Sequence, residues 1–163
     1  MADYVHSMSS LERACIVGLL TCALATGCSL FPTASTQICV DWIHFETPQA
    51  QYDHATLVVI GAPVRVDGQT PIYGYKANVH LVEIEAVLKG DPGPMPLRIA
   101  STPITCSAGV TYPDGDPLGV NQRMIIYANK QGDVWFTQTP AQGAEPFEVG
   151  RSLPFSTVDP IRK

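Results

Sequence analysis

The sequence predicts a mainly β fold: a five-stranded, partly open Greek-key barrel, OB-fold-like, after an N-terminal signal segment. Three observations predict it. From Ala55 onward, runs rich in Val, Ile and Leu recur at strand length, separated by breaks that contain Gly and Pro. Fourteen Pro and thirteen Gly are spread along the chain, which favours short strands and many turns over helices. The third observation is spacing: short breaks separate runs two and three and runs four and five. A longer connection, Pro103 to Val120, separates runs three and four, where a small barrel of this kind takes an insertion.

Composition narrows the function classes. At 163 residues, with 45% hydrophobic and 15% charged residues, the chain has room for one globular domain. A net charge of -5 and ten basic residues without a cluster argue against nucleic acid as a partner, because phosphate neutralisation needs clustered Lys and Arg.

The amino terminus reads as a targeting segment. Ala14 to Ala25 is an uncharged, mostly apolar run of signal-peptide length, too short to span a bilayer as a helix. Arg13 and Glu12 precede it, and either Met1 or Met8 serves as the start. The run closes on Ala25-Thr26-Gly27-Cys28, which resembles a lipobox with Leu24 one place further from the cut than the usual Leu. In such a signal the Cys thiol carries a diacylglycerol, so Cys28 is the expected lipidation site and the membrane the expected anchor. The alternative is an ordinary secretory signal whose cut happens to precede a Cys.

Cysteine usage bears on the same question. Of the five Cys, Cys15 and Cys22 fall in the discarded segment and Cys28 is taken by lipid, which leaves Cys39 and Cys106. In an oxidising compartment these two can close a disulfide across a separation of 67 residues, worth about 4 kcal/mol in the chain-entropy picture. Two independent buried thiols are the alternative. The organisation that follows is a signal peptide over 1–27, a polar, Pro-containing tether over 28–38, a β domain over 39–151 and a tail over 152–163.

Within the domain, "CVDWIHFETP" has no clean period and is expected to lie against the barrel, pinned by Cys39. "ATLVVIGAPVRV" reads as a long strand bent near Gly61 and Pro63. "KANVHLVEIEAVLKG" alternates through Ala77, Val79 and Leu81 and then through Val82, Ile84, Ala86 and Leu88. That change of phase between Leu81 and Val82 would exchange the faces of the strand, so a β-bulge is expected there. "PLRIAST", "QRMIIYAN" and "DVWFTQT" supply the remaining strands, with turns at "KGDPGP" and "NKQGD".

Four short stretches carry a more specific resemblance: "ATLVVIG" (Ala55 to Gly61), "VLKG" (Val87 to Gly90), "GVNQRMIIY" (Gly119 to Tyr127) and "PFEVG" (Pro146 to Gly150). They resemble the pattern of bacterial exported proteins whose barrels are similar to the netrin and tissue-inhibitor-of-metalloproteinases group. The resemblance implies a surface-anchored binding or structural module. In the metalloproteinase inhibitors the mature N-terminal Cys approaches zinc through its free amine. A lipidated Cys28 would instead sit at a membrane interface.

No catalytic group is nominated. His44, His54 and His80 lack the H-E-x-x-H spacing, and no G-x-S-x-G elbow is present to serve a Ser nucleophile. Asp41 with His44, and Asp53 with His54, are read as scattered polar residues. Asp114 and Asp116 flank Gly115 in "YPDGDPLG"; two carboxylates are fewer than calcium requires, and a surface turn is expected. Neither a metal nor a cofactor is expected. Trp42, Trp135, Tyr73, Tyr75, Tyr112 and Phe136 could offer a stacking face to a glycan or protein partner, or be barrel packing. The expected function is a non-enzymatic, lipid-anchored binding or structural module of the cell envelope, with an envelope protease inhibitor as the other reading.

Overall fold

The computed structural model describes residues 36–107 and 109–157; the signal segment, Cys28 and the first part of the tether lie outside them. Chain order is α1 (Pro48–His54), β1 (Leu57–Ile72), β2 (Tyr75–Lys89), β3 (Leu97–Ala100), β4 (Met124–Gln131), β5 (Val134–Thr137) and β6 (Ala144–Pro146). The sheet runs β1-β2-β3-β5-β4, and a further β1–β4 pairing closes it into the expected five-stranded OB-like barrel. Pairing is antiparallel except between β3 and β5, which run parallel through Ile99–Trp135 and Ala100–Phe136. Strand β6 adds to β4 and was not expected from the sequence.

The first two strands form one long hairpin, 16 and 15 residues, closed by Tyr73 and Gly74. Both turn residues have positive φ, 51° and 82°, the geometry of a type I′ turn, which matches strand twist. Gly74 is required twice over: a Cβ there would also sit 2.4 Å from the Thr36 carbonyl oxygen. At the expected bend, a Cβ on Gly61 would stand 2.4 Å from the Glu83 carbonyl oxygen, so the strands close up where only Gly fits. The phase change in β2 is matched by a register shift between Pro63 and Arg65, opposite Val82 and Leu81. The extra residue is Val64, so the bulge lies on the partner strand and not on β2. Three further shifts along the hairpin add to its coiling.

Alternation along β1 and β4 divides their side chains between two apolar layers. Leu57, Val59, Met124, Ile126 and Ala128 fill the barrel interior with Val82, Leu97, Ile99 and Leu118. Val58, Ile60, Ile125 and Tyr127 face outward, where Tyr52 and Ala55 from α1 and its C-cap, together with Phe147 and Phe155, cover them. Burial on both faces is the reason "LVVI" and "MIIY" are continuous apolar runs. A third cluster, built on Ile72, Ala77, Val79, Ala100 and Phe136, closes the hairpin end.

The folded unit is longer than 39–151 at both ends. Ile38 N–H donates to the Tyr73 carbonyl at 2.9 Å. Phe155 is buried and stacks on Tyr52 with ring centroids 4.5 Å apart. The helix α1 was missed as well: Thr47 caps it, accepting from Ala50 N–H, and Pro48 occupies the first turn, where its lacking N–H costs nothing.

Candidate functional site

Cys39 and Cys106 are bonded, with Cα atoms 5.3 Å apart, as the cysteine usage led one to expect. The bond ties the irregular segment before α1 to the connection between β3 and β4. Around it four hydrogen bonds hold the segment, two at Val40 and two at Phe45. Val40 N–H donates to Thr105 Oγ1 at 2.9 Å, and that hydroxyl donates back to the Val40 carbonyl at 3.0 Å. Phe45 exchanges two hydrogen bonds of 2.9 Å with the Gln142 side chain. Cys106 N–H donates to the buried Tyr75 hydroxyl, which fixes the other half of the disulfide. Trp42 lies between these anchor points, edge-on to Tyr73 with centroids 5.8 Å apart.

Beside Trp42 opens a cleft of about 280 Å³. Its apolar side is Trp42, Ile72, Tyr73 and Phe136; its polar side comes from Thr102, Thr137, Gln138 and the β4–β5 hairpin. Thr102 and Thr137 are consumed by each other, through Thr102 N–H to Thr137 Oγ1 at 2.8 Å and Thr102 Oγ1 to the Thr137 carbonyl. Two other groups are not: Trp42 Nε1 and Gln138 Oε1 are buried without a hydrogen-bond partner among the described residues. A buried donor or acceptor left unpaired costs about 1–3 kcal/mol, so a donor and an acceptor orphaned on one cleft are a recognition feature to be explained. No family model, curated protein or solved structure matches the chain. The functional reading therefore rests on this geometry.

A second polar cluster lies under the β3–β4 connection. Asp116 accepts from His80 Nε2 at 2.9 Å, Asn78 Nδ2 at 2.8 Å, the Leu118 N–H at 3.0 Å and the Ser101 hydroxyl. The expected surface turn is there at Pro113 to Gly115, which are exposed, but the expectation fails beyond it: Asp116 turns inward, and Leu118 behind it enters the barrel core. Burial alone would push the Asp116 carboxyl up, but hydrogen bonds from His80, Ser101 and Asn78, with the charge of His80, hold it at about 2. An ionised carboxylate only accepts, so His80 Nε2 carries its proton. Tyr112 joins the cluster, accepting from Asn78 N–H and donating to the Ser101 carbonyl. Burial drives its phenol up to about 12 against the Asn78 hydrogen bond, with the Asp116 charge adding to the rise.

Ser, His and Asp meet here, but not in the order that nucleophilic catalysis uses. Ser101 and His80 both donate hydrogen bonds to Asp116, so the carboxylate is the hub and no Ser–His hydrogen bond joins the two to activate the hydroxyl. Ser101 and His80 are also buried, the latter 2% exposed. The cluster can lock a loop; it does not offer a nucleophile.

The other sequence candidates scatter. Asp41 and His44 are exposed on the stapled segment, and Asp53 and His54 end α1. Of the six aromatics, Trp42, Tyr73 and Phe136 share the cleft. Tyr75 and Tyr112 are structural hydrogen-bonding groups. Trp135 donates to the Pro92 carbonyl and lies under Lys130 Nζ. Among the described residues, no group of three or more His, Cys, Asp and Glu is placed to hold a metal. Gln138 and Gln142 were missed, because a lone Gln carries no spacing signal.

Proposed function

We propose that the chain is an exported lipoprotein, anchored by Cys28 to the extracytoplasmic face of the cell membrane, whose barrel is a non-enzymatic binding module. The observation that carries this reading is the Cys39–Cys106 bond, of a kind that an oxidising compartment favours, which also holds Trp42 beside an open cleft. The lipobox-like Ala25-Thr26-Gly27-Cys28 and the small barrel resembling the netrin group support it. Protease inhibition through a free Cys amine fits less well: Cys28 would be the first mature residue, and lipid on it would hold it at a membrane interface. Titration against secreted metalloproteases should give no inhibition at micromolar protein.

The anchor is tested by expression with the leader in a bacterial host. The mature wild type should partition into detergent with a mass that includes diacylglycerol on residue 28, whereas Cys28→Ala should appear in the medium or remain an uncut precursor. Equal detergent partition of both proteins would remove the anchor.

A further inference from the structure

We propose that the cleft beside Trp42 is a saccharide site selective for an N-acetylated sugar; this rests on the binding-module reading and names its ligand class. Three features converge on it. Trp42, Tyr73 and Phe136 give the apolar rings against which the C–H face of a pyranose packs. The two orphaned groups, the Trp42 indole N–H and Gln138 Oε1, ask for one acceptor and one donor. An acetamido group carries both, a carbonyl and an N–H on adjacent atoms.

The polar lining is otherwise neutral. Gln131 and the Asn129 amide nitrogen bring groups that bind sugar hydroxyls, while Thr102 and Thr137 are held by each other and Asn129 Oδ1 by Thr56; among the described residues no carboxylate lines the cleft. Among the described residues the one cation of the lining, Lys130, lies 5.5 Å over the Trp135 ring. A volume of about 280 Å³ suits one sugar ring, not a chain of them.

Tyr73 adds an independent observation. It occupies a type I′ turn position with φ 51°, where Asn, Asp or Gly is preferred and an aromatic residue is strained. Its ring faces Trp42 and the cleft, so the residue costs the turn something and serves the site. Trp42 Nε1 and Gln138 Oε1 are both covered, so an acetamido group meets them once the indole, edge-on to Tyr73, and the Gln138 side chain shift.

The test uses the full chain in detergent, titrated with N-acetylglucosamine while tryptophan emission and bound heat are followed. Glucose and an N-acetylated dipeptide amide are run beside it. The monosaccharide should bind with a dissociation constant on the order of 1 mM and shift the emission, with glucose at least about tenfold weaker. Trp42→Phe keeps a ring and removes the N–H; Gln138→Met removes the acceptor at similar size. Each should weaken the sugar about tenfold while circular dichroism stays unchanged. Absence of binding, equal binding of glucose, tighter binding of the dipeptide amide, or both variants binding like the wild type would overturn the assignment. The detergent-partition experiment is indifferent to all of these, so loss of the sugar site and loss of the anchor are separate results.

Discussion

Replacing both Cys39 and Cys106 by Ser tests how the stapled segment is held, and its size can be worked from the chain. The bond closes a separation of 67 residues. In the chain-entropy picture, opening that loop in the unfolded state costs about 4 kcal/mol of stability. A domain of about 120 residues unfolds with roughly 0.25 kcal/mol/K of entropy, so the midpoint should fall by about 16 °C. The native contacts survive the exchange: Val40 keeps Thr105, Ile38 keeps Tyr73, and Phe45 keeps Gln142. Far-UV circular dichroism below the transition should therefore be unchanged. Thermal scans of the oxidised wild type and the double variant measure the shift. Both cysteines are exposed, so adding reductant to the wild type should reproduce it. The denaturant slope should rise, since the unfolded chain is released to expand. A midpoint lower by less than about 3 °C, with no change in slope, would refute a closed 67-residue loop as a source of stability.

Three more expectations concern single side chains. The folded pKa of Asp116 lies at about 2, below its ordinary 3.8, so its contribution is complete above pH 4 and lost as pH falls through 2. Asp116→Asn should flatten that part of the pH dependence of urea unfolding and cost about 2–3 kcal/mol at neutral pH, since it leaves buried donors unpaired. Leu118→Ala should cost about 3 kcal/mol by the same assay, because Leu118 is 1% exposed within the interior cluster; Val149→Ala, at 86% exposed, should change stability by less than about 0.5 kcal/mol. Tyr73→Asn should leave the midpoint within a few degrees, the relieved turn strain and the lost ring contact to Trp42 each being about 1 kcal/mol and opposite in sign. Sugar binding should nevertheless weaken, which calorimetry would register.

Strands were legible in the sequence where side chains announce their faces. "LVVI" and "MIIY" are apolar throughout because both faces are buried, and the phase change in β2 marked the height of a bulge. Which strand carried the extra residue was not legible, since the slip is a property of the pair; Val64 looks like any β-branched position. Cys39 and Cys106 were readable by elimination. Asp116 was not: its role depends on Asn78, His80 and Ser101 arriving from other strands, and "PDGD" alone has the composition of an exposed turn. The cleft was legible only as a supply of aromatic residues. What selects Trp42, Tyr73 and Phe136 from the six is the hairpin turn and the staple, neither of which is local to them.

The connection between β3 and β4 explains why these distant features work together. A stretch from Ser101 to Arg123 without strand or helix among its described residues is long for a small barrel and has to be fixed by side chains. Near its start, Thr102 is bonded to Thr137 in the cleft wall, and Thr105 and Cys106 clamp the segment that carries Trp42. Further on, Asp116 gathers donors from Asn78, His80 and Ser101, while Leu118 is buried in the barrel. The loop is thus held at its far end by the core and at its near end by the site. A cut at Leu118 should loosen the hold on Trp42 as well as the core, so Leu118→Ala should also weaken the sugar, by less than Trp42→Phe does. If Leu118→Ala lowers stability by the expected amount and leaves affinity untouched, the site depends on the disulfide and its neighbouring hydrogen bonds alone, and the connection does not couple the two.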